Sequence, residues 1–336
     1  MLPTPKPLRE LTGLTPSDLT DELLTSTEPY VIRGLAANWP YVKAALTSQA
    51  AASAYLKRFY TGEPVVAYLA PPDIKGMYGY TPDMQRLNFQ AIEARLDLVL
   101  EELDDHKNDA EPPYCYVGST LVDRYLPGFR GENDLPMGDR DPMVSIWVGN
   151  QTRVAAHYDF SDNVAVVTAG RRRFTVFPPD QLKNLYIGPL DLTPAGQSIS
   201  LVDFDNPDLE RFPRFAEAMT NAQSAELLPG DAIFIPAMWW HHVAGLEAFN
   251  TLVNYWWRQS PYYLSSPNAA LLHAMLTIRD IPPEQRKAWQ EHFRYYVFEA
   301  DGQECAHIPE NARRSLAPFD ADSAQAMRTN LSKRLR

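Results

Sequence analysis

His157 and Asp159 stand two positions apart, so on a β-strand their side chains would point to the same side. A pair of adjacent histidines, His241 and His242, follows later in the chain, and alternation along a strand would turn one of them inward. Two imidazoles and one carboxylate can hold a metal ion on one face and leave its opposite face open. This is the ligand set of non-haem Fe(II) oxygenases. The spacing therefore predicts a metal site that could perform oxidation chemistry.

Strand-forming segments flank both halves of this motif. Residues 143–148 and 164–168 are rich in β-branched side chains, and Gly149-Asn150 marks a turn between them. Before the second half, residues 228–231 form a turn signal and residues 232–236 a short apolar strand. Both halves of the motif are therefore expected on or beside strands, where a rigid metal site needs them.

Further motifs follow one another between residues 114 and 258. They are Ala-His-Tyr-Asp at 156–159, Phe-Pro-Pro-Asp-Gln at 177–181, Val-Asp-Phe-Asp-Asn-Pro at 202–207, Pro-Gly-Asp at 229–231, Trp-Trp-His-His at 239–242 and Val-Asn-Tyr-Trp at 253–256. In this order the chain resembles the cupin-like JmjC-type Fe(II)/2-oxoglutarate-dependent oxygenases, especially asparaginyl hydroxylases of the factor-inhibiting-HIF type. The resemblance implies a mainly β fold, a double-stranded β-helix (jelly-roll) barrel with helical flanks and C-terminal helices.

The resemblance also implies the chemistry. Members of the family hydroxylate a substrate with Fe(II), 2-oxoglutarate as cosubstrate and dioxygen, and release succinate and CO2. The implied metal ligands are His157, Asp159 and His241. The choice of His241 over His242 rests on the resemblance, because alternation alone leaves either one facing inward.

Several other residues are implied to hold the cosubstrate. Where the family has a lysine for the distal carboxylate, this chain has Arg172, and a guanidinium can bind a carboxylate in a two-pronged way. Tyr116 matches a tyrosine that donates to the same carboxylate, although a barrel-core aromatic is the competing interpretation. Asn163 and Asn254 are retained, and Trp256 matches a wall of the active site.

Two departures from the family pattern concern the pocket and the substrate. Val154 stands where the family has a threonine, so one hydroxyl donor is missing. The Arg-Gln pair that grips the peptide in the asparaginyl hydroxylases is replaced by Gln-Ser-Ile-Ser at 197–200. The same target is therefore not expected, and the substrate is a peptide or protein side chain or a small molecule.

Three regions are predicted along the chain. Apolar residues at helical spacing predict a helix over residues 89–103, and further helices over 269–276 and 284–293. The predicted regions are an N-terminal α/β flank at 1–112, a catalytic core at 113–260 and a C-terminal helical region at 261–336.

Composition fits an ordinary globular enzyme. Hydrophobic residues make up 45% and charged residues 22% of the 336 positions. The two cysteines are too few for a disulfide framework or a structural zinc site, and no segment has the apolar run of a signal peptide or a membrane span. A cytoplasmic protein without membrane contact is predicted. The net charge of −11 disfavours a nucleic-acid partner, because such a surface repels phosphate.

The C-terminal region contains many large apolar side chains between residues 262 and 298. A surplus of this kind predicts a homodimer held by the C-terminal helices, as in the asparaginyl hydroxylases that the chain resembles. The competing interpretation is that these side chains cover one end of the barrel.

Three alternative functions stay open at this stage. A JmjC-type demethylase and a tRNA-modifying hydroxylase would share the fold and the iron chemistry. A non-catalytic cupin-like module that only binds a metal or a ligand would belong to a different class. The intact His-x-Asp and His set argues against that last alternative.

Overall fold

A computed structural model describes residues 2–194 and 196–335. The described chain divides into two compact units, one ending at Gln259 and the other beginning at Ser260. The first unit contains the strands, and the second is helical. None of the described helices combines the length and the apolar composition that a membrane crossing needs.

The strands of the described residues are β1 Lys6–Pro7, β2 Arg9–Leu11, β3 Tyr30–Ile32, β4 Val65–Ala70, β5 Met77–Tyr78, β6 Gln90–Ala94, β7 Tyr114–Leu121, β8 Met143–Gly149, β9 Arg153–His157, β10 Asp162–Ala169, β11 Arg172–Phe177, β12 Gln223–Leu227, β13 Ala232–Ile235, β14 Trp240–Gly245 and β15 Asn250–Trp257. The α-helices are α1 Asp21–Leu24, α2 Pro40–Thr47, α3 Gln49–Phe59, α4 Leu96–Asp105, α5 Val122–Tyr125, α6 Phe215–Asn221, α7 Pro267–Ile278, α8 Pro283–Phe293 and α9 Ala321–Arg334. The helices predicted over 269–276 and 284–293 are confirmed as parts of α7 and α8.

The first unit contains two sheets. In the larger sheet the described strands have the order β2-β3-β13-β10-β15-β8-β7-β4-β6, and in the smaller sheet β1-β12-β11-β14-β9-β5. Phe174 and Val176 of the smaller sheet pack in one apolar core with Val167 and Ile233 of the larger sheet, so the two sheets face each other. The mainly β fold with helical flanks is confirmed.

The central strand β10 shows why this sequence builds two layers. Its side chains alternate between two cores, with Val164 and Val166 on one face and Ala165 and Val167 on the other. The first core also contains Leu56 of α3 and helical residues of α4, so the helices cover the outer face of the larger sheet. A strand buried on both faces explains the continuous apolar run over residues 164–167.

The helix predicted over residues 89–103 is wrong in its first half. Residues Gln90–Ala94 form strand β6, which pairs antiparallel with β4, and the helix begins only at Leu96. Backbone hydrogen bonds to the open edge of β4 outweigh the helical preference of this segment. The true helix is marked by the buried side chains of Leu96, Val99, Leu100 and Leu103, which lie on one of its faces.

Candidate metal centre and cosubstrate pocket

The metal motif lies where two strands of the smaller sheet meet. β9 and β14 are antiparallel neighbours, and His157 stands directly opposite His241. Asp159 follows the end of β9, where its carbonyl accepts a hydrogen bond of 2.8 Å from the Met238 amide. Cross-strand pairing therefore brings together two histidines that are distant in sequence.

His157, Asp159 and His241 each place one ligand atom within 4.8 Å of those of the other two. The two imidazole rings have centroids 4.3 Å apart, and His241 Nε2 lies 3.6 Å from Asp159 Oδ2. These are the three residues that the sequence predicted as ligands, and their donor set of two imidazoles and one carboxylate fits a divalent transition metal.

Hydrogen bonds fix the orientation of all three side chains. Nδ1 of His157 is 2.9 Å from the Ala155 carbonyl and Nδ1 of His241 is 3.1 Å from the Trp239 carbonyl, which leaves both Nε2 atoms for a metal. The Trp256 indole N–H donates to Oδ2 of Asp159 at 3.2 Å. Outer partners of this kind set the tautomer and the angle of metal ligands.

Burial favours the metal-binding form of His241. Loss of solvent, and then the neighbouring His157, lower the pKa of His241 to about 4. The imidazole is therefore neutral at physiological pH, as a metal ligand must be.

His242 lies outside this group of ligands. It is buried on β14, and its ring stacks on Phe204 with centroids 4.4 Å apart and an interplanar angle of 16°. Burial lowers the pKa of His242 to about 3. A neutral ring stacked in this way contributes to packing.

All the residues predicted to hold the cosubstrate line one cavity with the metal motif. The cavity has a volume of about 410 Å³, which is within the usual size of small-molecule sites. Its wall includes Arg172, Tyr116, Asn163, Asn254 and Trp256.

Arg172 provides the clearest sign of an anionic ligand. Its side chain is buried, and within the described chain its Nε and Nη2 atoms have no hydrogen-bond partner. Burial lowers the pKa of Arg172, an effect that the Tyr116 hydroxyl opposes, and a guanidinium stays charged in proteins. A buried cation without an anion is costly, so this site fits a carboxylate ligand.

The sequence neighbours of Arg172, at the start of β11, behave as alternation predicts. Arg171 and Arg173 are both exposed, and their guanidinium groups pair with Glu247 and Glu226 on the surface. They are therefore separated from the cavity.

Sequence reasoning missed several cavity residues. Tyr68, Tyr78 and Phe89 form an aromatic wall, with ring centroids 5.3 Å apart for Tyr68–Phe89 and 5.2 Å for Tyr78–Phe89. Trp147 also lines the cavity. For Trp147 a signal was available: it alternates with Val144, Ile146 and Val148 of the outer core and therefore faces inward.

A jelly-roll-like fold of two facing sheets with a His-Asp-His group between strands defines a metal-binding protein of the cupin type. Residues 16–263 match the family described as Cupin-like domain, and the chain belongs to this family. The predicted resemblance to the cupin-like JmjC-type oxygenases is confirmed.

Three relatives illustrate the range of the family. tRNA wybutosine-synthesizing protein 5 of Gallus gallus is 33% identical over 145 residues, which cover 39% of this chain and 42% of the relative. Lysine-specific demethylase JMJ31 of Arabidopsis thaliana is 33% identical over 125 residues, which cover 37% of this chain and 22% of the relative. HSPB1-associated protein 1 of Homo sapiens is 30% identical over 152 residues, which cover 43% of this chain and 30% of the relative. The chain spans less than half the length of these relatives.

Proposed function

We propose that this protein is an Fe(II)- and 2-oxoglutarate-dependent oxygenase that hydroxylates a peptide or protein side chain or a small molecule. One observation carries the proposal: the His157, Asp159 and His241 group shares its cavity with the buried guanidinium of Arg172, whose Nε and Nη2 atoms have no hydrogen-bond partner among the described residues. A metal site beside a cation for a carboxylate is what 2-oxoglutarate chemistry requires.

His157, Asp159 and His241 would hold the iron, with Trp256 keeping the Asp159 carboxylate in place. When bound, Fe(II) with 2-oxoglutarate and dioxygen supplies the oxidising power for hydroxylation and releases succinate and CO2. Arg172 and Tyr116 would bind the distal carboxylate of the cosubstrate. Asn163 and Asn254 add amide groups on the same wall.

The rest of the cavity wall is largely apolar. Val154, Phe174, Val243 and Leu252 lie around the polar groups. These side chains would exclude water, which strengthens the interaction of Arg172 with an anion.

Purified protein with Fe(II), 2-oxoglutarate and air is expected to release succinate slowly even without substrate. The reason is that the ligand group and the cation are already in place. Under anaerobic conditions the same mixture is expected to show a metal-to-ligand charge-transfer band in the visible spectrum. Asp159→Ala is the matched control and should show neither signal. If the wild-type protein shows neither succinate release nor the charge-transfer band, the non-catalytic binding module is favoured.

A tRNA substrate is a second candidate. The relatives named as tRNA wybutosine-synthesizing proteins put in doubt the prediction that nucleic acid is disfavoured as a partner. The net charge of −11 still requires any basic residues to gather on one face. Stimulation of succinate release by tRNA, compared with peptide and histone substrates, separates this candidate from a protein hydroxylase and from a demethylase.

We also propose a cytoplasmic location. Cys115 and Cys305 are free thiols and both are buried, and burial raises the pKa of Cys115 to about 12. Two free, buried thiols without a disulfide fit a reducing compartment.

The protein is further expected to form a homodimer through its C-terminal helices. Within α7 the side chains of Leu271, Leu272 and Leu276 are exposed, and so are Trp289 and Phe298 further on. Burial of these side chains against a second copy would stabilise the pair. Light scattering should give the mass of a dimer for the full chain and of a monomer for a chain stopped after Ser260. A full-length monomer at micromolar concentration would contradict the dimer, and a dimer that persists after truncation would place the interface elsewhere.

A further inference from the structure

Trp147 lies on the face of β8 that looks into the cavity. Its neighbours Ile146 and Val148 are buried in the outer core, while Trp147 lines the cavity that the metal ligands and Tyr116 also line. Neither the metal group nor the predicted cosubstrate residues include it, yet its ring touches three of the latter.

The contacts of the indole are specific. Its N–H donates to Oδ1 of Asn254 at 2.7 Å. The ring stacks on Tyr116 with centroids 5.7 Å apart and an interplanar angle of 26°. It also meets Trp256 edge-on, with centroids 5.6 Å apart. Trp147 therefore contacts three residues of the proposed cosubstrate site.

The donor and acceptor roles in these hydrogen bonds decide which amide groups face the cavity. An indole nitrogen can only donate, so Asn254 must turn its oxygen toward Trp147. The NH2 group of Asn254 then donates to Oδ1 of Asn163 at 3.3 Å. With its oxygen engaged, Asn163 has only its NH2 group left to offer to the cavity that it lines. The chain of bonds thus presents a donor to an anionic ligand, whereas a flipped pair of amides would present an oxygen that repels it.

The backbone beside Trp147 is shaped to admit the indole. The pairing of β7 with β8 shifts between Val117 and Thr120, which is the mark of a β-bulge. Within the bulge, Ser119 has a φ of 48°, an unfavourable value for a residue with a side chain. A Cβ on Gly118 would lie 2.9 Å from Cζ3 of Trp147, so only glycine leaves room for the ring in this position. Local strain of this kind persists only where the surrounding structure holds it in place.

We propose that Trp147 is a positioning residue that fixes the amides of Asn254 and Asn163 so that the cavity presents a hydrogen-bond donor to 2-oxoglutarate. This inference rests on the proposed function. It adds a residue that would act through its neighbours and that the sequence motifs do not mark.

The test compares the affinity for 2-oxoglutarate of Mn(II)-loaded wild-type and Trp147→Phe proteins by calorimetry. Phenylalanine keeps a ring against Tyr116 and removes the N–H. The Kd for 2-oxoglutarate is expected to rise about 5- to 10-fold, the effect of losing one hydrogen bond, while the Kd for Mn(II) stays unchanged. Trp257→Phe is the matched control: it is buried on the next position after Trp256, and its N–H has no hydrogen-bond partner in the described chain. Its Kd should equal that of the wild type.

A double variant separates positioning from a general structural effect. If Trp147 acts through Asn254, Trp147→Phe combined with Asn254→Ala binds 2-oxoglutarate no more weakly than Asn254→Ala alone. The inference would be overturned if the two substitutions together raised the Kd for 2-oxoglutarate by the product of their separate effects. It would also be overturned if Trp147→Phe kept the wild-type affinity. If Trp147→Phe melts far below Trp257→Phe, Gly118→Ala takes its place in the same cycle, because it keeps the indole but displaces it. A wild-type protein that binds Mn(II) but no 2-oxoglutarate would instead overturn the proposed function, and this inference with it.

Discussion

Replacement of His157 or Asp159 by alanine is expected to abolish iron binding. Each contributes one of three ligand atoms that lie within 4.8 Å of one another. Loss of one ligand leaves a two-point site, and the Kd for Fe(II) should rise by at least about 100-fold, beyond the effect of removing an outer partner. Anaerobic calorimetry with Fe(II) measures the change, and the rise in Tm that Fe(II) gives the wild-type protein should disappear.

The adjacent histidines provide a matched comparison for the same experiment. His241→Ala should lose the metal, because His241 faces His157 across the strand pair. His242→Ala should keep it and lower only the Tm, because the His242 ring stacks on Phe204 outside the metal group. Metal binding that survives in His241→Ala and fails in His242→Ala would reverse the assignment of the ligand.

Arg172→Ala is expected to keep the metal and to weaken 2-oxoglutarate binding by about 2–4 kcal/mol, the cost of removing one partner of a buried charge pair. This corresponds to a Kd that rises roughly 30- to 900-fold. The physical reason is that the described structure provides no partner for Nε and Nη2 of Arg172, so the anion would supply the missing bonds. Calorimetry with Mn(II)-loaded protein measures both affinities.

Two further substitutions sharpen this test. Arg173→Ala removes the neighbouring guanidinium, which is exposed and paired with Glu226, and should leave the Kd for 2-oxoglutarate unchanged. Arg172→Lys restores the charge without the two-pronged geometry and should recover part of the affinity. Unchanged affinity in Arg172→Ala would move the role to another cation.

The sequence by itself predicted the features that depend on local alternation. Arg172 points inward between two exposed arginines because side chains alternate along a strand. His157 and Asp159 offer ligand atoms to the same group, as their spacing predicted, although Asp159 lies just past the end of β9. The helices α7 and α8 also followed from apolar spacing. In these cases the information lies within a few neighbouring residues.

The helix predicted over residues 89–103 shows where local information ends. Nothing within that segment reveals that the edge of β4 is open and can pair with residues 90–94. The stabilising hydrogen bonds come from β4, a strand more than twenty positions away. Because of this pairing, residues 90–94 form a strand although their pattern is helical.

The tertiary structure also decided the composition of the cavity wall. Alternation left His241 and His242 equivalent, and the choice of His241 came from the family resemblance. The register that sets His241 opposite His157 gives the structural reason for that choice. Tyr68 reaches the cavity because β4 pairs with β7, and Tyr78 because β5 pairs with β9. The link from Trp147 to Asn254 exists because β8 and β15 are neighbours. Such contacts join strands that are distant in sequence, and the hydrogen bonds between strands set their register, which no single segment contains.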